Sequence, residues 1–326
     1  MALPIPKTVK LFIGGAFPRS ESGRALPVHD RRGAVIAHAS HASRKDLRDA
    51  VEAARAALPK WTGMTPYNRG QVLYRMAEML DGRRAEFIEA IAAPAPMTTS
   101  ATGTSGRGAR RAGRASRAGG GSAARSTRRR PSSQAITPAA EVSAAVERLV
   151  GFAGWADKHA EILGRRAAVA GPYHVFSHPE PIGATAVLAP DAPALLGLVA
   201  LVAAAMSVGN TVVAVASDCN PLPAIAFAEV LATSDVPGGV VNILTGRRAE
   251  LVPVIAEHRE IRAVSAAELP DDLATTLRLG AAENLKRVTI RPRPALTAWL
   301  DHAEEIAPAA IEPLVEIKTV WHPSAV

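Results

Sequence analysis

The chain has 326 residues, of which 48% are hydrophobic, 21% charged and 4% aromatic, with 25 Gly and 25 Pro. That balance fits a soluble globular chain of roughly two domains and excludes a collagen, a long coiled coil and a wholly disordered polymer. The net charge of +8 hints at nucleic acid only until it is located: residues 93–134 hold nine arginines and no acidic residue, leaving 29 basic against 30 acidic residues elsewhere.

The elements follow in chain order. Leu11-Phe12-Ile13-Gly14-Gly15-Ala16-Phe17 spells a hairpin with a Gly-Gly turn. Apolar residues at helical spacing predict one helix over 45–58 and another over 71–91, the latter carried by Val72, Met76, Leu80, Phe87, Ile88 and Ile91. His38-Ala39-Ser40-His41, before the first of these, offers two imidazoles without a helix or a third ligand and reads as a solvated loop. The segment 93–136 is rich in Arg, Ala, Ser and Gly and lacks the large apolar residues that offset ordering entropy, so it reads as a disordered insertion. Without interleaved aromatics its arginines make nucleic acid an unfavoured partner.

Thr137-Pro138 opens the next helix, whose apolar stripe runs over 141–163. From there strands and helices alternate: strands at 184–189, 211–216, 240–245, 261–265 and 287–290, helices at 194–206 and 222–232. Asp271-Asp272 after Pro270 reads as a further helix start, and Glu257, His258 and Glu260 as the charged end of an ordinary helix. This order predicts an α/β fold, a Rossmann-like parallel sheet with helices on both faces and ligands beyond the carboxyl ends of the strands. The longest apolar run, 192–206, has 15 residues, short of a membrane span, and reads as a buried helix. The N-terminal residues lack a signal-peptide pattern, and one cysteine, Cys219, permits neither an intramolecular disulfide nor a cysteine zinc cage; the expected location is the cytoplasm.

Several ordered motifs then resemble the aldehyde dehydrogenase superfamily: Phe12-Ile13-Gly14-Gly15, the Ala50-Val51-Glu52-Ala53-Ala54-Arg55 helix, Trp61, Pro181-Ile182-Gly183, Val187-Leu188-Ala189-Pro190, Gly209-Asn210-Thr211-Val212-Val213, Val240-Val241-Asn242-Ile243-Leu244-Thr245-Gly246, and Glu316-Ile317-Lys318-Thr319-Val320 near the end. The likeness covers 1–92, 137–269 and 312–322. It implies an incomplete aldehyde dehydrogenase fold: cofactor-domain hairpin and helices over 1–92, a Rossmann-like dinucleotide core over 137–269, a remnant of the catalytic region over 270–311 and an oligomerisation-type strand over 312–326.

The family reaction the likeness implies is NAD(P)-dependent oxidation of an aldehyde to a carboxylic acid, through a cysteine thiolate, a glutamate base and an oxyanion-binding asparagine. The asparagine position, two after Pro190, is Ala192. The base position, after the strand at 287–290, reads Arg291-Pro292, and no cysteine follows Cys219. The catalytic set therefore has no members here, Cys219 reads as an inert thiol, and the 57 residues from Pro270 onward suggest an internal loss of the catalytic region. The cofactor set implied by the likeness is Leu188, Pro190, Ser217, Asp218 and Gly246; the family's strand-end lysine is Val215, its ribose-binding glutamate is shortened to Asp218, and a helix-opening Gly-Ser pair is Glu268-Leu269. NAD or NADP is thus expected to bind weakly. Two functions stay open: an inactive family member acting as a non-catalytic subunit or remnant, in a homo- or hetero-oligomer with an active aldehyde dehydrogenase, and a working NAD(P)-dependent subunit whose nucleophile comes from a partner chain.

Overall fold

The computed structural model describes residues 6–94, 135–292 and 295–324. Most of the arginine-rich segment lies outside the described residues. Short strands β1 (Lys7–Val9), β2 (Ala25–His29) and β3 (Val35–Ser40) form a sheet in the order β1-β3-β2. Helices α1 (Arg44–Thr62), α2 (Pro66–Gly82), α3 (Arg84–Ala92) and α4 (Pro138–Leu163) follow. Their starts are chemically marked: Ser43 and Asp46 make a reciprocal capping box on α1, and Thr65-Pro66 and Thr137-Pro138 place a hydroxyl cap and a first-turn proline on α2 and α4. The single helix expected over 71–91 is two. The chain leaves helical geometry at Arg83 (φ −107°), whose guanidinium pairs with Glu86 and with Glu229.

After β4 (Arg165–Ala167) and β5 (Tyr173–Pro181) comes the alternating unit: β6 (Ala184–Leu188), α5 (Ala194–Ser207), β7 (Thr211–Val215), α6 (Leu222–Ala232), β8 (Val241–Leu244), α7 (Arg248–Glu257), β9 (Ile261–Ala267), α8 (Asp271–Asn284) and β10 (Arg287–Arg291). The five strands are parallel, in the order β10-β9-β6-β7-β8. Every residue of β6, β7 and β8 is buried, as expected of a sheet covered on both faces. Val187, Val212, Ala214 and Ile243 pack with α2, α4, α5 and α6, whereas Ala186, Leu188, Val213, Val215 and Leu244 pack with α1, α7 and α8. The strand alternation thus divides the core into two layers. Beyond residue 269, β10 pairs with β9 and extends the same sheet.

The Gly14-Gly15 turn has positive φ at both residues (63° and 84°) and is closed by two Ile13–Ala16 backbone hydrogen bonds of 3.0 Å, the turn geometry that suits a two-residue hairpin. Phe12 pairs with Ile243, so the hairpin covers the outer edge of β8.

Between β10 and the last strand, β11 (Val315–Pro323), the chain makes 3-10 turns at Leu296–Leu300, Pro308–Ala310 and Glu312–Leu314 and one short helix, α9 (His302–Glu305). Trp299, Ile311 and Leu314 are buried in the core. The connector is tied to the sheet unit by polar bonds: Arg148 donates to the carbonyls of Trp299 (2.8 Å) and His302 (3.3 Å), Trp155 to Ile306 (2.6 Å) and Asn210 to Leu314 (2.9 Å). β11 runs antiparallel to β5 along nine registered positions, in the sheet β11-β5-β4. Glu316 to Val320, within the segment expected to be an oligomerisation-type strand, is therefore paired on one side within its own chain.

Candidate functional site

In the strand order β10-β9-β6-β7-β8 the connections reverse direction between β6 and β9, the place where open parallel sheets form a crevice beyond their carboxyl ends. The residues singled out in sequence lie beyond the carboxyl ends of β6, β7 and β8, on one side of that reversal. Leu188 ends β6 and Pro190 follows it; Ser217 and Asp218 follow β7; Gly246 follows β8. Leu188, Pro190, Ser217 and Gly246 are buried, and Pro190 lies against α5 so closely that a Cβ added at Gly197 would sit 2.2 Å from its ring. Of the five, Asp218 alone is exposed.

Two further residues organise this site. Arg248, the first residue of α7, has a side chain only 5% exposed. Its guanidinium donates to the carbonyl of Ala189 (3.0 Å) and pairs with Asp191, while its Nε lies 3.4 Å from Asp218 and its backbone N–H donates to the Asp218 carboxylate at 3.0 Å. The other Asp191 oxygen accepts from the Ser217 hydroxyl (2.8 Å) and from the backbone N–H groups of Asp218 (3.0 Å) and Cys219 (3.4 Å). One cation and two carboxylates thereby tie together the chain ends leaving β6, β7 and β8.

Burial pushes the Asp218 carboxyl up, against the lowering effect of Arg248. Burial, with the Asp191 carboxylate beside it, pushes the Cys219 thiol up to about 11. A thiol so placed is mostly protonated at neutral pH and is a poor nucleophile.

Sequence reasoning did not find Arg248. Its signal was Arg247-Arg248 directly after Thr245-Gly246: cations at a helix N-terminus oppose the helix dipole and call for a carboxylate nearby.

A dinucleotide held as the likeness implies needs Asp218 as acceptor for ribose hydroxyls. That carboxylate is engaged by Arg248, and Ser217 by Asp191. The residues present do not fit a dinucleotide in that arrangement. On the other side of the switch, Glu268, Asp271, Arg278 and Arg291 line a cavity of about 580 Å³. Glu268, standing where the likeness puts glycine, has φ +54°, a left-handed conformation that glycine adopts more easily.

The remaining sequence candidates lie elsewhere. Arg291, at the position of the base, donates to Glu305 (2.5 Å) and stacks on Trp299 with 5.5 Å to the ring centre. The tetrad His38 to His41 is no solvated loop: it runs along β3 and out of its end, with Ser40 and His41 buried and the His41 ring 3.2 Å from Glu250. Ser40 is held between Val9, whose carbonyl accepts from its hydroxyl (2.9 Å), and Thr245, whose hydroxyl donates to its carbonyl (2.5 Å). Among the described residues no group of three or more His, Cys, Asp or Glu side chains is placed to hold a metal, and no helix is long and apolar enough to cross a membrane.

Comparison with known proteins accounts for the fold. The aldehyde dehydrogenase family model matches residues 18–112 and 127–290, reaching into β10. Aldehyde dehydrogenase family 2 member B4, mitochondrial, of Arabidopsis thaliana is 30% identical over 284 residues, covering 86% of this chain and 46% of that protein. Retinal dehydrogenase 2 of Gallus gallus is 29% identical over 288 residues, covering 87% and 48%. Among solved structures, a lactaldehyde dehydrogenase superposes with a TM-score of 0.71 at 20% identity, covering 88% of this chain and 52% of that one. Aldehyde dehydrogenase C of Pseudomonas syringae, determined as a mutant with NAD+ and octanal, superposes with a TM-score of 0.67 at 26% identity, covering 87% and 50%. The chain spans about half the length of the curated relatives it matches. With its α/β fold, its switch-point crevice and a family match over most of its length, the chain belongs to the aldehyde dehydrogenase family.

Proposed function

We propose that this chain does not oxidise aldehydes by itself and serves as a non-catalytic subunit beside an active member of its family. The observation that carries the reading is the state of Cys219, the one thiol in the 326 residues. Family chemistry begins with a thiolate, and this thiol, on an exposed residue, stands beside the Asp191 and Asp218 carboxylates, which favour its protonated form. Arg291, where a carboxylate base is needed, is a permanent cation bound to Glu305. The partner role is supported by β11, whose exposed Ile317 and Trp321 lie on an edge strand of its sheet.

Purified chain incubated with short and aromatic aldehydes and either NAD or NADP is expected to form no reduced dinucleotide above the blank. Turnover that persists through repeated purification overturns the inactive reading. Expressed with a tag in its own cell, the chain is expected to co-purify with an active aldehyde dehydrogenase; recovery without any dehydrogenase overturns the subunit role.

A further inference from the structure

We infer that the crevice beyond β6, β7 and β8 is closed by an internal lock, in which Arg248 takes the place against Asp218 that a ribose would need. The inference goes beyond the lack of catalytic residues, because a chain without a nucleophile can still bind a dinucleotide.

Three features carry it. The first is completeness: all three guanidinium nitrogens of Arg248 have partners on neighbouring segments, namely the Ala189 carbonyl, Asp191 and Asp218. The second is burial, with side-chain exposures of 5%, 16% and 25% for Arg248, Asp191 and Asp218. Opening the lock for a ligand separates half-dried charges, a step that a ribose hydroxyl does not offset. The third is the role of Asp191. Its carboxylate gathers the Ser217 hydroxyl and two backbone N–H groups of the loop after β7, fixing that loop beside Arg248. Each strand end contributes a member, so a dinucleotide seated across the three ends displaces the whole network.

The test is a thermal melt and a calorimetric titration of the full chain with NAD, NADP and ADP at millimolar concentration. The expected result is no saturable shift with any of them, because a ligand that binds only the folded state raises the melting temperature in proportion to the logarithm of its concentration over Kd. A saturable shift with any of the three overturns the lock. In a second arm, Arg248→Met is expected to lower the melting temperature by about 5–10 °C, since it strands two carboxylates. Asp191→Asn is expected to lower it less, and the double variant to fall by less than the sum of the two. Full additivity, or an unchanged melt in Arg248→Met, overturns the lock. If Arg248→Met does not fold, Asp191→Asn and the titration of the unaltered chain still decide. Binding without turnover overturns the lock and leaves the non-catalytic reading standing, whereas turnover overturns that reading.

Discussion

Lys286, 6% exposed, donates to the carbonyls of Ile255 (2.5 Å) and His258 (2.9 Å), capping the carboxyl end of α7. Those carbonyls favour the ammonium, but burial prevails and lowers its pKa from 10.5 to about 8. The unfolded chain thus keeps a proton that the folded chain releases between about pH 8 and 10.5, and stability rises with pH across that window. Urea unfolding is expected to show this rise in the native chain and its absence in Lys286→Met. The same residue scale governs Cys219. With its pKa at about 11, only about one thiol in a thousand is ionised at pH 8, against roughly one in four for a free cysteine. Alkylation followed by mass spectrometry is expected to be slow at pH 8 and to accelerate about tenfold per pH unit up to about 11.

At the scale of elements, α5 shows how one helix is started by another. All fourteen of its residues are buried, and Pro193 at its N-cap supplies no side-chain acceptor. The missing acceptor comes from α4: Glu141, itself buried, accepts from the N–H groups of Leu195 (2.8 Å) and Leu196 (3.2 Å). Burial raises the Glu141 pKa while the two N–H donors oppose it, so the carboxylate is costly to hold and useful once held. Glu141→Ala is expected to cost about 1–3 kcal/mol in chemical denaturation, and Glu141→Gln, which keeps an acceptor, less. Equal losses in the two variants would count against the cap. Both Glu141 and the apolar stripe of α4 stand in the sequence, but the bond from one helix to the start of another does not, because it links positions 54 residues apart.

For the whole molecule, the decisive feature is the return from β10 to β11. A continuous core runs from Val9 through the sheet to Trp299, Ile311, Leu314 and Val315, so the connector and the parallel sheet share one interior. Arg148, with no exposed surface, fastens them. One cooperative unfolding transition is expected for the chain. Arg148→Met is expected to lower its stability by about 2–4 kcal/mol, leaving the Trp299 and His302 carbonyls without their donor. Two separated transitions would show the connector to be an independent appendage. Removal of 315–326 is expected to expose the edge of β5 and promote aggregation, readable by light scattering.

The sequence by itself determined the alternation of strands and helices from 184 to 291, because fully apolar strands and a fully apolar helix have one low-energy arrangement, a parallel sheet covered on both faces. It also determined the family, through ordered motifs whose spacing survives, and the helix start at Thr137, because caps act within four residues. Only the tertiary structure decided that β11 pairs with β5, that His41 is buried behind β3, and that Arg248 joins Asp191 and Asp218. These depend on through-space pairing of charges and strand edges at positions far apart in the chain, 27 for Asp191 and Asp218 and 150 for Tyr173 and Pro323, for which local pattern carries no signal.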